Sequence, residues 1–237
     1  MSVELTNLNT EFLVDKSASP TRETANHQKA LAWALPDGAL VAAPWMLGQV
    51  MSGDTFCVNG GAGSTVIAFA GAYDADAPDM HINVPEGVTI IPLRIEVVFE
   101  ALGTEATVEC IALASNQGDT SVSGTAKTPQ NMKINGRNSA CVATAAVDAA
   151  GCTDPNTAGG KFFEFWHFQK PLADTVATGE NDRAPLVFCW NAFQDGPPPI
   201  IKGVGAAGSC LAVYAASQAG TGFITVQWVE VESSTIP

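Results

Sequence analysis

Asp74, Asp76 and Asp79, with His81 beside them, form the densest run of ligand-type side chains in the chain. Carboxylates crowded into one short loop suit a hard cation, because Ca²⁺ surrounds itself with several oxygen ligands. The three aspartates are therefore the candidate metal site, with calcium as the ion. An EF-hand loop would also need Asp-x-Asp-x-Asp-Gly and a distal Glu, and neither is here, so the competing reading is a solvated acidic turn. Asn59-Gly-Gly-Ala-Gly-Ser-Thr has glycines able to wrap a phosphate, but it lacks the P-loop lysine and reads as a flexible turn.

Nucleophilic chemistry finds less support. His27, His81 and His167 lie far apart, and no local motif pairs any of them with a Ser or Cys nucleophile. His167, between Trp166 and Phe168, reads as a packed or interface ring. Glu164 and Asp174 are the only pair worth naming as glycosidase-type carboxylates, and no surrounding pattern supports them. Trp33, Trp45, Trp166, Trp190 and Trp228 would serve a sugar-stacking platform, against the plainer reading of aromatics buried in strands or at interfaces. No catalytic or cofactor-binding residue is assigned, and the expectation is a protein that is not an enzyme.

The six cysteines, Cys57, Cys110, Cys141, Cys152, Cys189 and Cys210, are too widely spaced for a zinc site and read mainly as buried thiols. Cys141 and Cys152, in a Gly- and Ala-rich stretch, are the one pair whose oxidation would staple a long loop.

Charge sets the next bound. The net charge of −13, with only eleven Lys and Arg scattered along the chain, argues against non-specific nucleic-acid binding, which needs clustered cations. The amino terminus lacks the basic and apolar regions of a secretory signal, so synthesis in a cytoplasm is expected. The best apolar runs, such as Val88 to Phe99, are broken by Pro92, Arg94 and Glu96, so no membrane span is expected. At 15 % charged residues, much of the surface must consist of small polar and apolar groups, which suits burial against neighbours.

These residues need a scaffold, and the punctuation describes it. Glycine and proline are spread along all 237 residues, as many short strands with turns require. Residues 1–32 are polar and aperiodic, an extended arm ordered against something else. Residues 33–237 form one domain. Within it, the run from Ala30 to Met51 reads as strand, turn and apolar buried segment. Leu93, Ile95, Val97 and Phe99 alternate with Arg94, Glu96, Val98 and Glu100, and a second alternating run follows Gly103, so 93–115 reads as an antiparallel hairpin. Residues 116–160 read as a long decorated loop, or short strands with a brief helix. Lys161-Phe-Phe-Glu-Phe-Trp-His-Phe-Gln-Lys loads both faces with rings and reads as a strand buried on both sides. The segments around Cys210 to Ala216 and Gly222 to Val231 read as a closing hairpin. The expectation is an all-β, antiparallel sandwich of jelly-roll type with about eight to ten strands.

The ending Cys210-Leu-Ala-Val-Tyr-Ala-Ala-Ser, a short turn, then Gly222-Phe-Ile-Thr-Val-Gln-Trp-Val-Glu-Val resembles the closing strand pair of single-jelly-roll virus capsid proteins. The polar amino terminus and the connection Gly196-Pro-Pro-Pro extend the resemblance loosely over residues 85–237. It implies two facing four-stranded sheets, many copies in an icosahedral shell, a place in the virion, and partners that are copies of the chain and other capsid proteins. The absence of an Arg-rich arm departs from small-genome relatives and removes direct genome neutralisation from the expectation. The alternative is a β-sandwich glycan-binding or receptor-attachment module that grips a host surface sugar.

Overall fold

The computed structural model describes residues 11–15, 27–31, 45–103, 107–148, 151–157, 159–171, 186–216 and 219–235. In chain order the elements are β1 (Glu11–Asp15), β2 (His27–Leu31), α1 (Trp45–Ser52), β3 (Thr55–Asn59), β4 (Ile67–Ala68), β5 (Met80–Val84), β6 (Val88–Ala101), β7 (Thr107–Ser115) and β8 (Thr125–Lys127). They continue with β9 (Gln130–Asn131), β10 (Val142–Ala145), β11 (Phe162–Pro171), β12 (Leu186–Asn191), β13 (Ile201–Lys202), β14 (Ser209–Ala216) and β15 (Thr221–Glu232), closed by a 3-10 turn at Ser233–Thr235. β1 and β2 pair antiparallel with each other, Glu11 opposite Leu31 and Asp15 opposite His27.

The other strands make two sheets. One runs β11-β7-β14-β5-β10-β8; the other runs β12-β6-β15-β3-β9, with β13 added to β6 and β4 to β15. Among the long strands the pairing is nested. β3 pairs with β15, β5 with β14, β6 with β12 and β7 with β11, so the first long strand meets the last and each inner pair follows in turn. Two further ladders, β15 on β6 and β14 on β7, weld these pairs into sheets.

The sheets face each other across a single core, which makes the chain an antiparallel β-sandwich. Ile95, Val97 and Phe99 of β6, Ile224, Val226 and Trp228 of β15 and Phe56 of β3 meet Met80 and Ile82 of β5, Val108 of β7 and Leu211 and Val213 of β14. Each large side chain buried this way contributes roughly 1.5–3 kcal/mol. The period-two alternation of β6 is realised in full, with Leu93, Ile95, Val97 and Phe99 inside and Arg94 out in solvent, where its guanidinium pairs with Glu96. At Gly222, where β15 shifts register against β6, a Cβ would collide with the carbonyl oxygen of Val98, so the close approach of the strands requires glycine.

Four expectations need correction. The strands at 93–115 exist, but β6 and β7 lie in different sheets and Leu102 and Gly103 lead from one layer to the other. The same holds for β14 and β15 at the carboxyl end. Alternation reveals a strand with one buried face; two strands burying their faces in one core from opposite sides look the same in sequence as a hairpin. The apolar run before Met51 ends in helix α1, and none of its residues is buried. Leu, Met and Gln there favour helix over strand. Finally, β11 is a sheet edge among the described residues and is largely exposed, with Trp166 its one buried residue.

Candidate functional site

The predicted aspartates divide. Asp74 and Asp76 stay together on the loop after β4, and Asp76 raises the proton affinity of Asp74, first through a side-chain hydrogen bond and then, after burial, through charge. Asp154, on the loop before β11, adds its own negative field. Asp79 turns inward. Its Oδ1 accepts the Ala70 N–H at 2.9 Å and its Oδ2 the Ala215 N–H at 2.7 Å, which ties the loop to β14. Burial pushes its carboxyl up to about 7, against the pull of those two N–H groups. Among the described residues, no group of three or more His, Cys, Asp and Glu is arranged to hold an ion.

His81 lies on β5 between Thr144 and Ala212, fully buried, with no hydrogen-bond partner at either ring nitrogen among the described residues. Burial depresses it to about 4, with Asp119 pulling the other way, so its ring is neutral at pH 7. His167 is the opposite case. On exposed β11 its Nε2 lies 2.6 Å from Glu109 Oε1 and its Nδ1 2.8 Å from Glu164 Oε1. The Glu109 bond raises its pKa, burial opposes, and Glu164 adds to the rise. With both nitrogens held by carboxylates it has no free lone pair for a nucleophile's proton.

The remaining sequence candidates resolve in the same manner. Asp174 and Trp33 lie outside the described residues. Trp166, Trp190 and Trp228 are inside the core and Trp45 stands half exposed on α1. The glycines after Asn59 form a tight turn, with Gly61 N–H donating to Asn59 Oδ1 at 2.8 Å. All six thiols are free, Cys141 and Cys152 included. Burial raises both; Cys152, pushed up to about 12 with nearby carboxylates adding to the effect, donates its S–H to the Asp76 carbonyl.

Two features escaped the sequence reading. The first is a polar lock. Glu230 sits on the inward parity of β15, in step with Trp228 and Val226, and is buried. Arg137 Nη1 donates to its Oε1 at 2.6 Å, Ser139 Oγ to its Oε2 at 2.5 Å and Ala140 N–H to Oε1 at 3.1 Å. Burial would raise the Glu230 pKa, but these bonds together with the Arg137 charge hold it below the ordinary carboxylate value. Arg137 also lies over the Phe56 ring at 4.8 Å, so the 132–141 loop is fastened to the sandwich. The carboxylate on an inward parity was the signal that a cation must come to it.

The second is an open side. Among the described residues β11 and β12 each end a sheet, and Phe162 (54 % exposed), Phe163 (58 %), Phe193 (62 %) and Ile200 (60 %) stand in solvent there. A groove of about 450 Å³ runs between β11 and β13, lined by Phe162, Phe163, Pro199 and Ile200 and flanked by the exposed Lys161 and Lys202. No protein-family model matches the sequence, and no curated protein is similar to it.

Proposed function

We propose that this chain is a virus capsid subunit of the jelly-roll type, a structural protein that assembles with many copies of itself into an icosahedral shell of the virion and does not transform a substrate. The observation that carries the reading is the nested pairing of first with last, second with seventh, third with sixth and fourth with fifth long strands, the path of a hairpin rolled into a sandwich. The open side supports it. A soluble protein that lives alone protects its sheet edges, whereas β11 offers ten residues of aromatic-rich strand with only one ladder used among the described residues. Helix α1, with Trp45, Met46, Leu47 and Met51 exposed, is a further apolar surface that suits a neighbour. Contacts of this kind are individually modest, each burying on the order of 1,000 Å² or more, and symmetry multiplies them.

The glycan-binding alternative draws on the tryptophans, and three of the five are in the core. Negative-stain electron microscopy of the purified chain tests the proposal. Closed particles of uniform diameter are expected, and a field of monodisperse monomers across buffer and concentration contradicts it.

A further inference from the structure

The groove beside β11 has an unusual neighbour. Ser115, which lines the groove, donates its hydroxyl to the Pro155 carbonyl at 3.1 Å, and Asn156 Nδ2 lies 3.2 Å from Tyr73 Oη. These two bonds seat the loop carrying Asp154, and with it Tyr73, against the end of β7 that lines the groove, and Asp74 and Asp76 follow Tyr73 on the same loop. The surface around that end of β7 therefore carries two kinds of group: an apolar trough with lysines, and an exposed tyrosine among carboxylates. Among the described residues Lys161 and Lys202 make no ion pair, and no lysine or arginine pairs with Asp74, Asp76 or Asp154. Asp74 and Asp76 instead crowd each other.

A patch with opposite charges at its two ends is complementary to itself when turned through a two-fold axis, since the same residues then meet twice in reciprocal contacts. We infer that this face is a two-fold self-association surface, on which a second copy of the chain lays its loop of Tyr73, Asp74, Asp76 and Asp154 onto the Lys161- and Lys202-flanked groove and receives the first copy's loop in return. The occupant is the chain itself because one operation satisfies both charged ends and brings the exposed Tyr73 ring of each copy to the apolar trough of the other. The inference rests on the reading of the chain as an assembling subunit and names one of its contacts.

Reciprocity gives a decisive experiment. Two double variants, Lys161→Glu with Lys202→Glu and Asp74→Lys with Asp76→Lys, each place like charges together in both halves of a homodimer. Sedimentation velocity is expected to show self-association at this contact weakened by about a hundredfold or more in either variant. Mixed in equal amounts, the two variants restore both attractive contacts and associate as a heterodimer, an outcome that non-specific damage does not produce. Thermal unfolding midpoints close to the parent's are expected, since the lysines are exposed and the two aspartates lie at the surface. The milder Lys161→Ala with Lys202→Ala, which loses the parent's sensitivity to added salt, serves if a charge reversal fails to fold. Variants that associate like the parent, or a mixture that stays monomeric, overturn the contact. If shells still form from both variants, the contact falls and the subunit reading stands; if the parent itself never associates, both fall.

Discussion

β14 and β11 are close in the same sheet, separated only by β7, and they are built to opposite specifications. β14 is Ser-Cys-Leu-Ala-Val-Tyr-Ala-Ala, mostly small side chains, and every residue in it is buried. Leu211 and Val213 enter the main core, while on the other face Ala212 and Tyr214 join Ile111 and Leu113 in a second apolar cluster. Tyr214 is covered by the 70–79 loop, meeting the Tyr73 ring at a tilt with centroids 4.9 Å apart and donating its hydroxyl to the Ala75 carbonyl. β11 carries four phenylalanines and a tryptophan, and only Trp166 is buried. Side-chain size therefore does not sort the strands of this protein into inside and outside; position in the winding does. A central strand covered on both faces needs small residues that let layers close, and an edge strand with large rings has surface to offer a partner.

Substitutions can break that contrast, and the largest effects belong to the interior. Trp228→Ala empties the centre of β15 and is expected to cost about 3–5 kcal/mol in denaturant unfolding. A loss below 1 kcal/mol would mean that the two sheets do not share the core described here. Next comes the polar lock. Glu230→Ala leaves Arg137, Ser139 and the Ala140 N–H without their acceptor, and Arg137→Ala leaves a buried carboxylate; the latter is expected to cost somewhat less than the ~3–5 kcal/mol of a fully buried pair, because the guanidinium is partly in water. Since the Glu230 pKa is depressed in the folded state, its contribution is present above the ordinary carboxylate pKa and disappears as pH falls through the folded value. Acid unfolding of the parent is expected to begin with loss of protection in residues 132–141.

Asp79 acts with the opposite sign. Its folded-state carboxyl stands at about 7, so the stability it contributes is complete below about pH 4 and is lost as pH rises through about 7. Asp79→Asn removes that slope between pH 4 and 7, measured by unfolding free energy at several pH values; an unchanged slope would show that Asp79 is not the group responsible. His167 gives a smaller effect. Its raised pKa makes the Glu109 and Glu164 contacts stabilising below about pH 6.5, a contribution lost as pH rises through the folded value. At an exposed site His167→Ala is expected to change stability by less than about 1 kcal/mol, and only on the acidic side. Smallest of all is Phe163→Ser, expected to leave subunit stability within about 0.5 kcal/mol while reducing association.

Much of this was legible from residue order. The alternation of Leu93 to Phe99 announced β6 and its buried face, and the scattered glycines and prolines announced many short strands. Partner choice was not legible, because Phe99 and Val108 point into one core from opposite sheets while looking like neighbours in a hairpin. Nor was the exposure of β11, since a run of rings has the same composition whether it ends a sheet or fills its middle. Spacing alone groups Asp79 with Asp74 and Asp76, and of the two N–H groups that draw it inside, the Ala215 N–H comes from a distant part of the chain. Glu230 could have been flagged: it continues the inward parity of Ile224, Val226 and Trp228, where a carboxylate requires a cation.

Amide hydrogen exchange, followed residue by residue in the dilute and the assembled chain, addresses the contrast between the two strands directly. The amides of β14 are expected to be equally protected in both states, while β11 and the loop carrying Asp74 and Asp76 gain protection only on assembly. Exchange at β11 that stays fast at concentrations where the chain is assembled, or that is already slow in the dilute monomer, would contradict the account.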